Sequence, residues 1–116
     1  MPDGPLPQLG VYLLGRRPPA SAWEQRWVRW PDFGTPRDTD DALDALRVAY
    51  ERAEQERVEV ACRGGVGRTG TALAVIARFA GVTRDDAVAW VRANYDRRAV
   101  ETPWQRRWVQ AVVVDR

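Results

Sequence analysis

Apolar and polar positions along the chain fall into short apolar runs and helical stripes, separated by Gly- and Pro-rich breaks. Val11-Tyr12-Leu13-Leu14 predicts a strand closed by Gly15, and Arg16-Arg17-Pro18-Pro19 then breaks the chain. Trp27-Val28-Arg29-Trp30 predicts a second short strand, and the Pro-bounded stretch 31–36 that follows reads as a loop. A helix is expected from Asp38 or Thr39 to near Glu56. Its apolar stripe is Leu43, Leu46, Tyr50 and Ala53, and Asp40, Asp41 and Asp44 favour its positive end. Val58, Val60 and Cys62 alternate with Arg57 and Glu59 and predict a strand running into Gly64-Gly65-Val66-Gly67. Residues 69–80 are apolar almost all round, so that helix should be buried on most sides, with Gly81 just past its end. Thr83 is expected to cap another helix, with Asp85 and Asp86 in its first turn and Val88, Val91 and Tyr95 on its apolar face. Thr102-Pro103-Trp104-Gln105 combines a capping box with Pro at the first helical position, and opens a last helix.

These elements predict a compact α/β domain: a small, partly parallel central sheet flanked by helices on both faces. A chain of 116 residues with no long linker is expected to be a single domain, with residues 1–8 as a loose lead-in. The sheet would have exposed edges, so a monomer or a weak homodimer is expected. No apolar run is long enough for a membrane span, and no signal peptide is recognised, so the expected location is cytoplasmic.

Composition narrows the chemistry. Histidine is absent, which removes Ser-His-Asp and Cys-His catalysis and His-dependent zinc sites within this chain. One cysteine, Cys62, permits no intrachain disulfide. The net charge of +2 is unevenly spread: residues 37–61 carry four Arg against eight acids, and residues 62–116 carry ten Arg against five. The second half favours anions, although no basic run interleaved with aromatics suggests a nucleic-acid partner.

The informative segment is Cys62-Arg63-Gly64-Gly65-Val66-Gly67-Arg68-Thr69, between a predicted strand and a buried helix. Its glycines let the backbone fold tightly with N–H groups pointing inward as an anion nest, and the helix behind adds positive charge from its N-terminus. Arg68 can grip two phosphate oxygens in a fork. A thiol at Cys62 facing such a field is expected to react as the thiolate, attacking phosphorus while the nest and Arg68 hold the equatorial oxygens. The departing alcohol needs a proton. Asp32, flanked by Pro31, Phe33 and Gly34 on a loop that can close, is the candidate acid.

Three motifs in order then carry a resemblance. Residues 62–69 match the C-x5-R-[ST] signature of the cysteine-dependent protein tyrosine phosphatase superfamily. Trp30-Pro31-Asp32-Phe33-Gly34-Thr35-Pro36 resembles the mobile acid loop of its tyrosine-specific branch, and Glu101-Thr102-Pro103-Trp104-Gln105 is similar to that branch's Gln-Thr-x-x-Gln loop. The resemblance implies a metal-independent phosphoric monoester hydrolase that needs no cofactor and acts on phosphotyrosine-bearing protein through a phosphocysteine. It makes Cys62 the nucleophile, Arg68 the phosphoryl ligand, and Asp32 the general acid and then the base for water. Thr69 would support the thiolate, Gln105 would help position the attacking water, and Arg63, Gly64, Gly65, Val66 and Gly67 would complete the cradle. Trp30 would serve as a hinge.

The chain also departs from the family pattern. Ala61 stands where the family usually has His, which orders the loop and favours the thiolate. Glu101 replaces the first Gln of the third loop, where a carboxylate could repel the dianion or act as an extra base. The Tyr-bearing loop that walls a deep phosphotyrosine pocket has no match. Alternative readings are a catalytically impaired phosphate-binding module and, given Arg63, a phosphoinositide phosphatase. Residues 63–69 also mimic a Walker loop with Arg for each Lys, but no strand ending in a metal-binding Asp follows. The capping box alone accounts for Thr102 and Gln105.

Overall fold

The structure is a computed structural model that describes residues 6–64 and 66–114. It is a compact α/β fold with a three-stranded sheet and four helices. Three strands, β1 (Leu9–Leu14), β2 (Glu24–Arg29) and β3 (Val58–Ala61), form a wholly parallel sheet in the order β2-β1-β3. Leu9 pairs with Glu24 on one side and with Val58 on the other, so β1 is the central strand. Its apolar alternation follows from that place: Leu9, Val11 and Leu13 are all buried in the core. Four helices follow: α1 (Thr39–Arg52), α2 (Gly67–Phe79), α3 (Ala87–Asn94) and α4 (Pro103–Ala111). Ala42, Ala45, Leu46 and Ala49 of α1 and Ala72 and Val75 of α2 join the sheet residues in one core. Small side chains there let the helices approach closely.

Parallel neighbours usually need a crossover of a dozen or more residues, most often a helix. Here residues 15–23 join β1 to β2 without one. The connection is held by side chains. Trp27 Nε1 donates to the Leu14 carbonyl at 2.8 Å, Gln25 Nε2 donates to the Pro19 carbonyl at 2.8 Å, and the Arg17 guanidinium stacks 4.9 Å from the Trp27 ring centre.

Several boundaries differ from the sequence expectation, for physical reasons. β2 begins at Glu24 and ends at Arg29 because it is an edge strand whose first half is polar and partly exposed, so its pairing leaves no apolar signal. The first helix ends at Arg52, four residues short of Glu56. Gln55 and Glu56 fold their amides back onto the Arg52 carbonyl, and Arg52 pairs with Glu56. The strand before the phosphate loop stops at Ala61, leaving Cys62 as the first loop residue. The buried helix starts two residues earlier than expected, at Gly67. Thr83 does not cap a helix: its hydroxyl donates to Asp86 at 3.0 Å, residues 84–86 form a turn, and α3 begins at Ala87 with Asp86 as its N-cap. The capping box of α4 forms as the sequence predicts.

Of the lead-in, residues 1–5 lie outside the described residues. Residues 6–8 are tied down: the Gln8 amide donates to the Arg57 carbonyl at 2.8 Å, and Arg57 Nε donates to the Leu6 carbonyl at 2.8 Å. Among the described residues no helix is long and apolar enough to cross a membrane.

Candidate active site

The site gathers where β1 and β3 end and α2 begins. Cys62 follows directly on β3, and seven residues later Thr69 lies in the first turn of α2. That turn brings the two together. Thr69 Oγ1 donates to Cys62 Sγ at 3.0 Å, and the Thr69 amide approaches the same sulfur at 3.4 Å. The N-cap of α2, Val66, gives the helix no side-chain cap, and of its first amides that of Thr69 turns to the Cys62 sulfur. Gly64 sits at φ 88°, a left-handed conformation that a residue with a Cβ adopts only at a cost. Gly65 lies outside the described residues.

Arg68 is the pivot of the site. It is buried, with 4% of its surface exposed, yet both ends of its fork are engaged. Nη1 donates to the Trp30 carbonyl at 3.1 Å, and Nη2 donates to the Arg63 carbonyl at 3.1 Å. Nη2 also lies 3.6 Å from Asp32 Oδ1, which brings the two loops into register.

Asp32 is carried on residues 30–36. Its side chain is 63% exposed. The loop's base is fixed by Trp30, fully buried and packed edge-on against Trp108 at 5.3 Å. Trp30 Nε1 donates to the Gly34 carbonyl at 2.7 Å. Its tip is fixed from α4: Trp104 Nε1 donates to the Phe33 carbonyl at 2.6 Å, and Gln105 Nε2 donates to the Gly34 carbonyl at 3.0 Å. Phe33 is held at φ 61°, a left-handed conformation uncommon for an aromatic residue, while its ring stays exposed.

Gln105 is therefore committed elsewhere than the phosphate loop. It is fully buried, and its Oε1 accepts from the amides of Glu101 at 2.8 Å and Thr102 at 3.2 Å. The residue of the third loop that reaches the cradle is Glu101. Its carboxylate lies so close over Gly67 that a Cβ there would overlap it. Glu101 is aimed by an unusual turn: the preceding Val100 is at φ 63° although β-branched. Arg92 holds that turn by donating to the carbonyls of Ala99 at 2.9 Å and Val100 at 2.8 Å. Neither the Arg92 clamp nor the Trp104 tether was legible in sequence, because each ends on a backbone carbonyl.

Asp32, Arg63, Gly67, Arg68 and Glu101 border one chamber of about 140 Å³. Cys62 opens on an adjoining hollow of about 190 Å³ with Tyr12, Leu14 and Ala61, and Arg63 borders both. Tyr95 lies near the thiol. Burial pushes its phenol above the ordinary range, and the negative charges of Cys62 and Asp96 add to the shift. The arrangement offers a forked cation, a helix N-terminus and two carboxylates around a phosphate-sized space, with a sulfur nucleophile on the adjoining hollow.

The chain matches the protein-tyrosine phosphatase family model over residues 15–103 and belongs to that family. Its fold superposes on the crystal structure of Tk-PTP in its active form with a TM-score of 0.76 and 28% identity, covering 90% of this chain and 76% of that one. An uncharacterized protein of Methanocaldococcus jannaschii is 34% identical over 101 residues, covering 75% of this chain and 62% of that protein. Human tyrosine-protein phosphatase non-receptor type 4 is 38% identical over 91 residues, covering 72% of this chain and 10% of that protein. The chain thus spans about three fifths of the archaeal relative and a tenth of the human one.

Proposed function

We propose that the chain hydrolyses phosphate monoesters, foremost phosphotyrosine in proteins, through a phosphocysteine. The observation that carries this reading is the two-donor contact of Thr69 on Cys62 Sγ, in front of a helix N-terminus where Arg68 and Asp32 converge. In the first step the Cys62 thiolate attacks phosphorus and the ester P–O bond breaks. Asp32 gives its proton to the departing tyrosyl phenoxide. The Arg68 fork and the N-terminal end of α2 carry the charge on the three equatorial oxygens. In the second step Asp32, now a carboxylate, takes a proton from water as its oxygen attacks phosphorus. The P–S bond breaks, and the Thr69 hydroxyl stabilises the returning thiolate.

Glu101 is the residue over the cradle in this second step, and Gln105 acts through the loops it fastens. A carboxylate at that place also supports a second reading, in which the phosphocysteine forms and is hydrolysed slowly. Steady-state and single-turnover hydrolysis of p-nitrophenyl phosphate in chelator tests both. The expected result is turnover that Cys62→Ser abolishes and Asp32→Asn lowers. A stoichiometric burst of nitrophenol followed by a near-zero rate supports the second reading. Full activity after alkylation of Cys62 overturns the mechanism.

A further inference from the structure

A second cavity of about 450 Å³ adjoins the phosphoryl chamber and is the larger of the two. Asp32, Arg63 and Arg68 border both. The far wall is the helix-free connection between β1 and β2, which contributes Arg16 and Arg17 together with the apolar surfaces of Leu14, Pro18 and Pro19. Four arginines therefore line a cavity in which Asp32 is the sole acidic residue among the described residues. Arg26 pairs with Asp41 and Asp44, Arg52 with Glu24 and Glu56, and Arg98 with Asp96. Arg16, Arg17 and Arg63 have no such acid within salt-bridge distance among the described residues. Like charges converging on one hollow raise its potential and favour a bound anion.

The wall is also built to hold its shape. Trp27, fixed to the Leu14 carbonyl, carries the Arg17 guanidinium on its ring. The adjacent prolines fix two φ angles, so the wall loses little freedom when something binds. Cations and apolar surface together select the occupant. A compact inositol polyphosphate would answer the cations and leave Leu14, Pro18 and Pro19 facing its hydroxyls. A neutral phosphotyrosyl segment would use the apolar wall and leave the cations unanswered. An aromatic ring with an acidic neighbour uses both.

We propose that this cavity is the recognition subsite for a phosphotyrosyl segment with an adjacent acidic residue: the tyrosyl ring lies against Leu14, Pro18 and Pro19, and the neighbouring carboxylate meets Arg16, Arg17 and Arg63. The proposal rests on the phosphatase reading for where the phosphoryl group sits, and supplies the wall that the missing Tyr-bearing loop leaves out.

Binding to the Cys62→Ser protein tests the subsite without requiring turnover, which p-nitrophenyl phosphate hydrolysis by the unaltered chain reports separately. Two phosphotyrosyl peptides are compared, one with Asp and Glu beside the phosphotyrosine and one with Asn and Gln. The acidic peptide is expected to bind about tenfold more tightly at low salt, the gap narrowing above about 0.1 M salt as the Debye length falls to about 10 Å. Adding Arg16→Ser and Arg17→Ser should bring the two dissociation constants together. Arg16→Glu alone, which spares the Arg17–Trp27 stack, should invert the preference while the thermal melt stays unchanged. Equal affinities for the two peptides, or a preference that survives these substitutions, overturns the proposal. So does an inositol polyphosphate that displaces the acidic peptide at lower concentration than the peptide itself binds.

Discussion

The two loops that meet at Arg68 are built in opposite ways. The phosphate loop is continuous with regular structure at both ends, β3 before it and α2 after it, and the bond that closes it, from Thr69 to Cys62, spans only seven residues. The acid loop borrows its shape from elsewhere. Its carbonyls are held by Arg68, Trp104 and Gln105, which lie 38 to 71 residues away. A nucleophile and its cradle have to be in place before substrate arrives, and local chain geometry achieves that cheaply. An acid that must approach and retreat is better held by a few side-chain bonds worth about 1 kcal/mol each, which can break and reform. Substitutions in the first loop should therefore remove chemistry, and those around the second should loosen it.

The largest effect is expected from Cys62→Ser, which removes the nucleophile and should lower kcat by on the order of 10⁶-fold without changing the melting temperature much. Arg68→Lys comes next. Lysine keeps the charge but loses the fork, and with it the bonds to Trp30 and Arg63, so both loops lose their common tie. A loss of about 10³-fold in kcat/KM is expected. Asp32→Asn should cost about 10²-fold on p-nitrophenyl phosphate and more on phenyl phosphate, whose phenoxide leaves less readily. Equal losses on the two esters would mean that Asp32 does not protonate the leaving group.

The same contrast explains what was legible in the sequence. The phosphate loop is contiguous, and holding a phosphoryl group dictates its residue types, with glycines where the backbone turns, an arginine for the fork and a threonine for the sulfur. The capping box of α4 and the strand β1 were legible for the same reason, since each is a local pattern. β2 was placed too late because an edge strand needs no apolar alternation on its exposed half. The acid loop's tethers left no trace, because a tryptophan or glutamine that donates to a distant carbonyl marks nothing at the carbonyl's end. Gln105 shows the limit well. Its motif suggested water and its contacts show a fastener, satisfying two amides at the start of α4 and the carbonyl of Gly34.

Gln105→Leu tests that fastening. The side chain keeps its volume and its fully buried place, but the amides of Glu101 and Thr102 lose their partner and the Gly34 carbonyl keeps only Trp30 Nε1. Unpaired buried groups cost about 1–3 kcal/mol, so the melting temperature should fall by several degrees. Activity should fall about tenfold, mostly in kcat, because Asp32 and Glu101 both shift relative to the cradle. A loss of activity with no change in stability would place Gln105 in the chemistry instead.

Trp104→Phe is the mildest and the most specific way to separate the loops. Trp104 is half exposed, so its ring contributes little to the core, and phenylalanine keeps most of its surface. What disappears is the one bond from Nε1 to the Phe33 carbonyl at 2.6 Å. Phe33 sits in a left-handed conformation, and that tether helps offset its cost. Without it the acid loop should spend more time away from Arg68, while the phosphate loop is untouched. A bond worth about 1 kcal/mol converts to a loss of roughly fivefold in kcat. The affinity for vanadate, which reports the phosphate loop, should move less than the rate does. Parallel losses in vanadate affinity and in kcat would mean that the two loops are one rigid unit, and that the distinction between a built cradle and a fastened acid does not hold in this chain.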